Sequence, residues 1–579
     1  MKIVLQQVGR YKKDTFLTMG LTVLEVIMEI LLPFIPARLI DQGLEASNLP
    51  VVIRYGLIMV GMSIVSLIFG ALAGKFAANA SAGFAANLRE AIYNNVQTFS
   101  FSNIDKFSVP SLVTRMTTDI TNVQMAFMMC TRVAVRAPLN LIFSFAMTMY
   151  ICSEIAPTFL IAVIFLMVVL GVIMVVTLKI FNEVFRRYDD LNASVQENVG
   201  AIRVVKAFVR EDYEGKKFNK ASDMLYKLSV KAESLLAFNN PAMMIAVYFC
   251  IIMVSWMGAQ FIVAGDLTTG DLTSLFSYIM SLLMSLMMLS MVIVMISMSL
   301  ASIRRISEVL HEKPDLHNPE NPVYEVPNGD IDFEHVNFAY KHGSGKYALQ
   351  DINLHIKSGE TIGVIGGTGA GKSSLVNLIC RLYDVTDGSV KVGDIDVRNY
   401  DMDSLRNQVA VVLQKNTLFS GTILENLRWG NPEATEEQCV AACKAACADE
   451  FIDRFPDGYE TVLEQNAANL SGGQKQRLRI ARAIVKQPKI LILDDSTSAV
   501  DMATDEHIRR ALKTAMPGST KIIIAQRIAS ILSCDRIIVL HEGELSDVGT
   551  HAELMERSQI YRDVYDSQMR EEGEQHGQS

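Results

Sequence analysis

Charge is scarce in this sequence. Asp, Glu, Lys and Arg make up 20% of its 579 residues, where soluble domains carry ~25%. That shortage excludes a long disordered chain, which needs charge to stay solvated. Eight cysteines are scattered through mostly apolar or helical contexts without a paired spacing. A disulfide scaffold is therefore excluded, and most of the soluble mass is expected in a reducing compartment. No basic excess exists either: 53 Lys and Arg against 62 Asp and Glu leave a net charge of −9. A nucleic acid is thus not the expected main partner. What the chain has in quantity is apolar surface, with 50% hydrophobic residues and a mean hydropathy of +0.25.

The apolar excess lies in the first half. Tyr55–Gly74, Ala137–Ser153, Ile155–Leu178, Leu235–Gly265 and Leu272–Ile303 contain no Asp, Glu, Lys or Arg. A sixth run, Phe16–Leu39, is broken only by Glu25, Glu29 and Arg38. About 20 apolar residues cross a bilayer as a helix, so these runs predict six transmembrane helices. The connections Gln42–Pro50, Ser153–Pro157 and Gly265–Asp271 hold no Lys or Arg. The other two connections are long and basic, the second with Arg186, Arg187, Arg203, Lys206, Arg210 and further lysines. The positive-inside rule places these two, and both termini, in the cytoplasm. Met1–Met19 lacks the form of a secretory signal and reads as an interfacial helix leading into the first span. With no organelle-targeting extension, a bacterial inner membrane is the expected location.

The long connections Gly74–Ala134 and Lys179–Glu233 hold few prolines and keep a helical pattern, so each is read as extensions of two membrane helices joined by a short turn. Past Ile303, Lys313-Pro314, Asn318-Pro319, Asn321-Pro322 and Pro327-Asn328-Gly329 mark a linker. Strands then alternate with helices, as in an α/β domain. The expected division is a membrane domain over 1–303, a linker over 304–328, an α/β nucleotide domain over 329–570 and a polar tail over 571–579.

Gly366-Gly367-Thr368-Gly369-Ala370-Gly371-Lys372-Ser373, with Ser374 next, fits the phosphate-binding pattern GxxxxGK[ST]. It follows the apolar strand Thr361–Ile365 and precedes the helix Leu375–Leu382, the context the motif requires. Glycines let backbone N–H groups curl round phosphates, Lys372 brings a cation and Ser373 a hydroxyl for Mg²⁺. A second apolar strand, Lys489–Leu493, ends in Asp494-Asp495, and an acid there is placed to hold Mg²⁺. Leu470-Ser471-Gly472-Gly473-Gln474 precedes Lys475-Gln476-Arg477, which open a helix running to Val485. Ser471 and the paired glycines read as an anion-ready cap.

At these residues the chain resembles one half of an ATP-binding-cassette (ABC) exporter, a transmembrane domain fused ahead of a nucleotide-binding domain. The resemblance covers nearly the whole chain and implies ATP and Mg²⁺ as ligands. It implies that Tyr340 stacks on adenine, that Gln414 contacts Mg²⁺ and the attacking water, and that Asp501, in Ser498-Ala499-Val500-Asp501, crosses a dimer interface. Lys106–Thr117 and Glu197–Val205 would fall near the cytoplasmic turns that meet the nucleotide domains. Three departures stand out. Asp495 occupies the position of the usual catalytic glutamate and Gln526 that of the usual histidine. Leu463–Asn469 lacks the Gly-Glu-Arg-Gly-like stretch. The first two impair this chain's own ATP site while Leu470–Gln474 stays intact, so the expected working unit is a heterodimer with a second half-transporter.

Met280, Met284, Met287, Met291, Met295 and Met298 recur at intervals of 4, 3, 4, 4 and 3, one stripe of the last membrane helix. Flexible thioethers suit either a site for varied apolar solutes or packing on lipid and neighbouring helices. Glu25 and Glu29 lie one turn apart in the first span, where an unpaired charge costs roughly 2.5–3.5 kcal/mol. They are expected to face the bundle interior, either pairing structurally, for instance with Arg38, or binding a cationic substrate. Cys439, Cys443 and Cys447 share a spacing of four and read as buried packing residues. The expected substrate is a small hydrophobic or amphipathic, often cationic, drug-like compound. Lipids, peptides or a siderophore remain open, as does a mainly regulatory ATP-binding subunit.

Overall fold

The computed structural model describes residues 1–341, 345–413, 417–495 and 500–576. It separates into two compact units, residues 1–98 with 107–312, and residues 99–106 with 313–579.

Among the described residues of the first unit six helices are long and apolar enough to cross a membrane: α1 (Gly9–Leu44), α2 (Leu49–Gln97), α3 (Val109–Ile151), α4 (Ala156–Gly200), α5 (Glu211–Ala264) and α6 (Thr269–His311). Local chemistry sets their ends. Pro50 and Pro157 sit in first turns, where a missing N–H costs nothing. Gly265, at φ 86°, closes α5 in a left-handed cap. Thr268 and Asp271 open α6 with a reciprocal capping box. At ~1.5 Å per residue, the 49 residues of α2 exceed twice the thickness of a bilayer's apolar core. The long basic connections are thus helix extensions, as their periodicity predicts. Only residues 98–108 and 201–210 interrupt them with turns and short helices.

The charge-free run that ends at Ile303 continues as helix to His311. Residues expected as linker are partly pinned: Val323 bridges to Tyr400, and Asn318 donates to Asp401. Inside the helical unit, Tyr278 is fully buried and its hydroxyl donates to Ile30 O at 2.7 Å, tying α6 to α1. Phe159, Leu275, Ile279 and Leu282 pack in the same core.

Among its described residues the second unit carries twelve strands: β1 (Ile331–Phe338), β2 (Leu349–Ile356), β3 (Thr361–Gly366), β4 (Asp387–Val392), β5 (Ile395–Asp396), β6 (Val409–Val412), β7 (Gly421–Thr422), β8 (Val462–Leu463), β9 (Ile490–Asp494), β10 (Thr520–Ile524), β11 (Arg536–His541) and β12 (Glu544–Gly549). A four-stranded sheet runs β2-β1-β4-β5, a six-stranded sheet β12-β11-β3-β10-β9-β6, and β7 pairs β8. In the six-stranded sheet only β12 is antiparallel. β9 and β10 are buried throughout, and of β3 only Gly366 is partly exposed. Buried on both faces, such strands read as unbroken apolar runs. Ile522 pairs Ile362 on one side and Ile492 on the other. This register brings the carboxyl ends of β3 and β9 to one edge of the sheet, where ligands of parallel α/β sheets bind.

Candidate functional site

That edge brings the P-loop and the acidic end of β9 together. Gly366 ends β3, and the loop after it enters α7 (Lys372–Ile379). Gly371, the N-cap of α7, has φ 93°, and a Cβ there would meet Ala348 O at 2.6 Å. Only glycine suits this turn. Among the described residues no side chain caps α7, so its first N–H groups are left for an anion. Lys372 Nζ donates to Gly366 O and Gly367 O, both at 2.8 Å, which folds the ammonium over the loop. Ser373 Oγ donates to Asp494 Oδ2 at 2.8 Å, joining the P-loop to the end of β9. A hydroxyl and a carboxylate are hard oxygen donors of the kind Mg²⁺ selects. The residues fit both ATP phosphates and the ion.

Burial pushes the Asp494 carboxyl above its ordinary range; Ser373's hydrogen bond and the Lys372 charge oppose the shift, and the Asp495 charge adds to it. Burial lowers the Lys372 pKa, against the opposing pull of Asp494 and Asp495. A cation binding here would relieve the Asp494 penalty by keeping the carboxylate charged.

Asp495 sits past β9 in the left-handed region, at φ 47°. Its N–H donates to Ile524 O at 3.0 Å, and its Oδ2 accepts from Gln526 Nε2 at 2.8 Å. Two of the three departures from the exporter pattern are thus bonded to each other. Tyr340 follows β1, half exposed, with its hydroxyl 2.9 Å from Ser374 Oγ and its ring edge-on to Phe338 and Tyr383. An aromatic face is thereby held beside the P-loop. Asp501 caps α10 (Met502–Ala515), accepting from Thr504 N at 2.9 Å. Gln414, Ser498 and Ala499 lie outside the described residues.

The signature stretch opens α9 (Gly472–Val485), and Ser471 caps it: Gln474 N donates to Ser471 Oγ, and Ser471 N to Gln474 Oε1 at 2.9 Å. The helix starts at Gly472 rather than at Lys475, because the capping box places both glycines in its first turn. Leu470 is buried while Ser471 and Gly472 are exposed, so the helix N-terminus is anchored from below and open above. Upstream, Asn466 and Ala467 are both left-handed, at φ 57° and 51°, which gives the divergent Leu463–Asn469 stretch its own shape. Cys439, Cys443 and Cys447 are buried in the core; Cys447 lies beyond the end of α8 (Glu436–Ala445), so only the first two share a helix face.

In the first unit Glu25 and Glu29 find a partner that the sequence reading missed. Arg136 of α3 bridges them, 3.0 Å from Glu25 Oε1 and also bonded to Glu29 Oε1, and Arg132 lies 3.8 Å from Glu25. Arg38, the expected partner, instead lies over the Phe34 ring at 4.7 Å. The two acids are therefore not free negative charge awaiting a cationic solute. Arg132 and Arg136 sit four apart just ahead of the charge-free run at Ala137, a spacing that matches Glu25 and Glu29; that shared spacing was the available signal. Along α6, Met280, Met284, Met287, Met291 and Met298 are exposed in the single chain, and Met295 is half buried. Met287 and Leu283 also line a cavity of about 390 Å³ with Leu166, Leu170, Met243 and Asn239.

A family model described as "ABC transporter transmembrane region" matches residues 15–302, and one described as "ABC transporter" matches residues 349–498. The chain is similar to "Uncharacterized ABC transporter ATP-binding protein YfiB" of Bacillus subtilis, at 35% identity over 556 residues and 95% of each chain. It is similar to "ATP-dependent lipid A-core flippase" of Desulfotalea psychrophila, at 32% identity over 464 residues, 79% of this chain and 80% of that one. Among solved structures, "Structure of a bacterial Atm1-family ABC exporter with ATP bound" shares its fold with a TM-score of 0.81, at 24% identity, over 96% of this chain and 98% of that one.

Proposed function

The chain belongs to the ABC transporters, with the six-helix membrane region fused to the ATPase domain, and from that premise we propose that it is the weak-site half of a heterodimeric exporter for amphipathic solutes. The observation that carries this reading is the Gln526–Asp495 hydrogen bond of 2.8 Å. Asp495 is one methylene shorter than glutamate, which withdraws its carboxylate by about one C–C bond, ~1.5 Å. Misplacing a catalytic group by about 1 Å costs ~10²-fold. Gln526 engages that carboxylate and carries no imidazolium charge for the γ-phosphate.

The parts that hold the nucleotide are complete. The P-loop N–H groups and Lys372 take the phosphates, Tyr340 offers a ring to the base, and Ser373 with Asp494 holds Mg²⁺, joined by Gln414 on the family pattern. Mg²⁺ there neutralises charge building on the β- and γ-phosphates. In the two-chain sandwich, Ser471, Gly472 and Gly473 present the start of α9 to the ATP held by the partner, and Asp501 lies at the crossing. A homodimer would pair two impaired sites and leave both signatures facing a short acid. A partner with an intact glutamate and histidine resolves this.

The solute side is apolar and adaptable: the exposed Met stripe of α6 and the cavity beside Met287 accept varied shapes. Arg136 and Arg132 neutralise Glu25 and Glu29, which removes the basis for a preference for cations. The flippase name carried by a relative favours a lipid within the amphipathic class. The Lys and Arg of the long connections support an inner-membrane setting with cytoplasmic termini.

The deciding experiment purifies this chain alone and with its genomic neighbour. ATP hydrolysis should need the neighbour, fall strongly when the neighbour's catalytic glutamate becomes Gln, and survive Asp495→Asn here. Full-rate hydrolysis by this chain alone, abolished by Asp495→Asn, overturns the assignment. Tight ATP binding with no solute movement by the pair would select the regulatory reading instead.

A further inference from the structure

Inside the helical unit four charged side chains form one cluster whose charges sum to zero. Glu25 and Glu29 lie a turn apart on α1, and Arg132 and Arg136 a turn apart on α3. Arg136 bridges both acids, and Arg132 stands 3.8 Å from Glu25. The cluster is closed in the middle and open at its ends. Side-chain exposure is 8% for Glu25 and 24% for Arg136, against 35% each for Glu29 and Arg132. One open end is an acid and the other a base.

Its hydrogen bonding is unfinished. Among the described residues, Glu25 Oε2, Arg136 Nε, Asn140 Oδ1 and Thr22 Oγ1 are buried without a partner. Thr22, Glu25 and Glu29 fall at i, i+3 and i+7 of α1, and Arg132, Arg136 and Asn140 at i, i+4 and i+8 of α3, so each set shares a helix face. Buried polar atoms are normally paired, and a clasp serving only to join two helices would pair them with one another. Left unmatched beside an ion pair, they offer donors and acceptors to a bound polar group. Helix α2 packs closely against the cluster. Its Gly70-Ala71-Leu72-Ala73-Gly74 segment puts a Gly-x-x-x-Gly face here, and a Cβ on Gly70 would stand 2.8 Å from Glu25 Oε1.

A cluster with no net charge attracts neither a net cation nor a net anion over distance. With an accessible carboxylate at one end and an accessible guanidinium at the other, it does orient a dipole of opposite sense. We propose that this cluster binds the zwitterionic headgroup of an amphiphile, its ammonium on Glu29 and its phosphate on Arg132, with the ester or hydroxyl groups of the head meeting the unmatched atoms between. Arg suits the phosphate because its planar fork meets two oxygens at once. The proposal rests on the amphiphile-export reading and assigns that reading a headgroup.

The test uses the full-length chain in detergent and three fluorescent amphiphiles with one shared tail, bearing a phosphoethanolamine, a phosphoglycerol or a primary-amine head. The zwitterion should bind about tenfold more tightly than either singly charged analogue, the scale of one hydrogen bond to a charged group. Glu29→Gln should move the preference to phosphoglycerol, and Arg132→Gln to the amine. Equal affinity for the three heads, or an equal loss for all three in both variants, overturns the proposal and leaves a helix clasp. Competition by tail-free glycerophosphoethanolamine as strong as by the tailed probe overturns the amphiphile part. If either variant fails to fold, the three-head comparison on the unaltered chain still decides. Absence of binding by any tailed probe removes the export reading beneath, whereas headgroup-blind binding removes this assignment alone.

Discussion

Gln526 Nε2 donates to Asp495 Oδ2 across 2.8 Å, so the two residues proposed to weaken this ATP site are in direct contact. Residues in direct contact do not contribute additively. Asp495→Glu alone lengthens the acid while Gln526 still holds it. Gln526→His alone supplies an imidazole beside a carboxylate that remains too short. The double variant Asp495→Glu/Gln526→His should therefore raise hydrolysis by the chain purified alone by ~10²-fold, well beyond the product of the single effects. Steady-state phosphate release from the four proteins checks this. Multiplicative singles would mean that the bond has no bearing on turnover.

Lys372 holds its ammonium over the P-loop through Gly366 O and Gly367 O. Losing one charge-assisted bond network to a phosphate costs about 1.5–3 kcal/mol, or ~10–100-fold in affinity. Lys372→Ala in the full-length chain should weaken Mg-ATP binding by that much, read by equilibrium binding. ADP, which lacks the γ-phosphate, should lose less. An unchanged ATP affinity would remove the P-loop assignment.

The motifs of the candidate ATP site were legible in the sequence because each is contiguous. Lys372, Ser373 and Ser471 each belong to a short motif with its own strand or helix beside it, and β3 and β9 announce themselves as unbroken apolar runs. The membrane helices were legible for the same reason, their extensions included. What escaped was pairing across the fold. Arg136 stands 107 residues from Glu29 and 111 from Glu25, and no local pattern links them, whereas Arg38 was nearby in sequence and drew the expectation. The Gln526–Asp495 bond spans 31 residues and joins two strand ends. Both departures were visible, but their contact follows only from the β9–β10 register. The start of α9 was misplaced because a capping box turns two glycines into a helical turn that composition alone reads as loop.

Gly70 admits the Glu25 carboxylate against α2, and a methyl there would lie 2.8 Å from Glu25 Oε1. Gly70→Ala should push the carboxylate off Arg136 or spread α2 from α1, at about 1–3 kcal/mol for overpacking. Gly20, where a Cβ meets nothing within 4 Å, is the control, because Gly20→Ala there adds helix propensity without a clash. The measurement is the thermal midpoint of the purified chain in detergent. Gly70→Ala should lower it and Gly20→Ala should not. Equal midpoints for the two variants would mean that α2 does not close on the glutamate.

Asp494 carries a buried carboxyl whose pKa lies above the ordinary carboxylate value, first because of burial. The sign of the consequence follows from linkage. Where pH is low enough to protonate Asp494 in both folded and unfolded chains, its charge costs nothing. As pH rises through the folded-state pKa, the nucleotide-free folded chain must hold an ionised group that the unfolded chain hydrates more cheaply, and stability is lost. Asp494→Asn keeps an oxygen to accept from Ser373 and removes that charge. The variant should therefore melt higher than the unaltered chain without nucleotide at pH 8, by about 2–4 °C for each kcal/mol relieved in a domain of this size. The gap should shrink as pH falls through the raised folded-state pKa toward the ordinary carboxylate value. Lys372, whose charge opposes the shift, reduces the gap without reversing it. With Mg²⁺ and ATP present the order should invert, because the ion needs the carboxylate: the unaltered chain gains stability by mass action and the variant gains little. A gap that is constant or widens as pH falls would show that Asp494 is not under strain from its own charge, and the case for a metal relieving it would go with it.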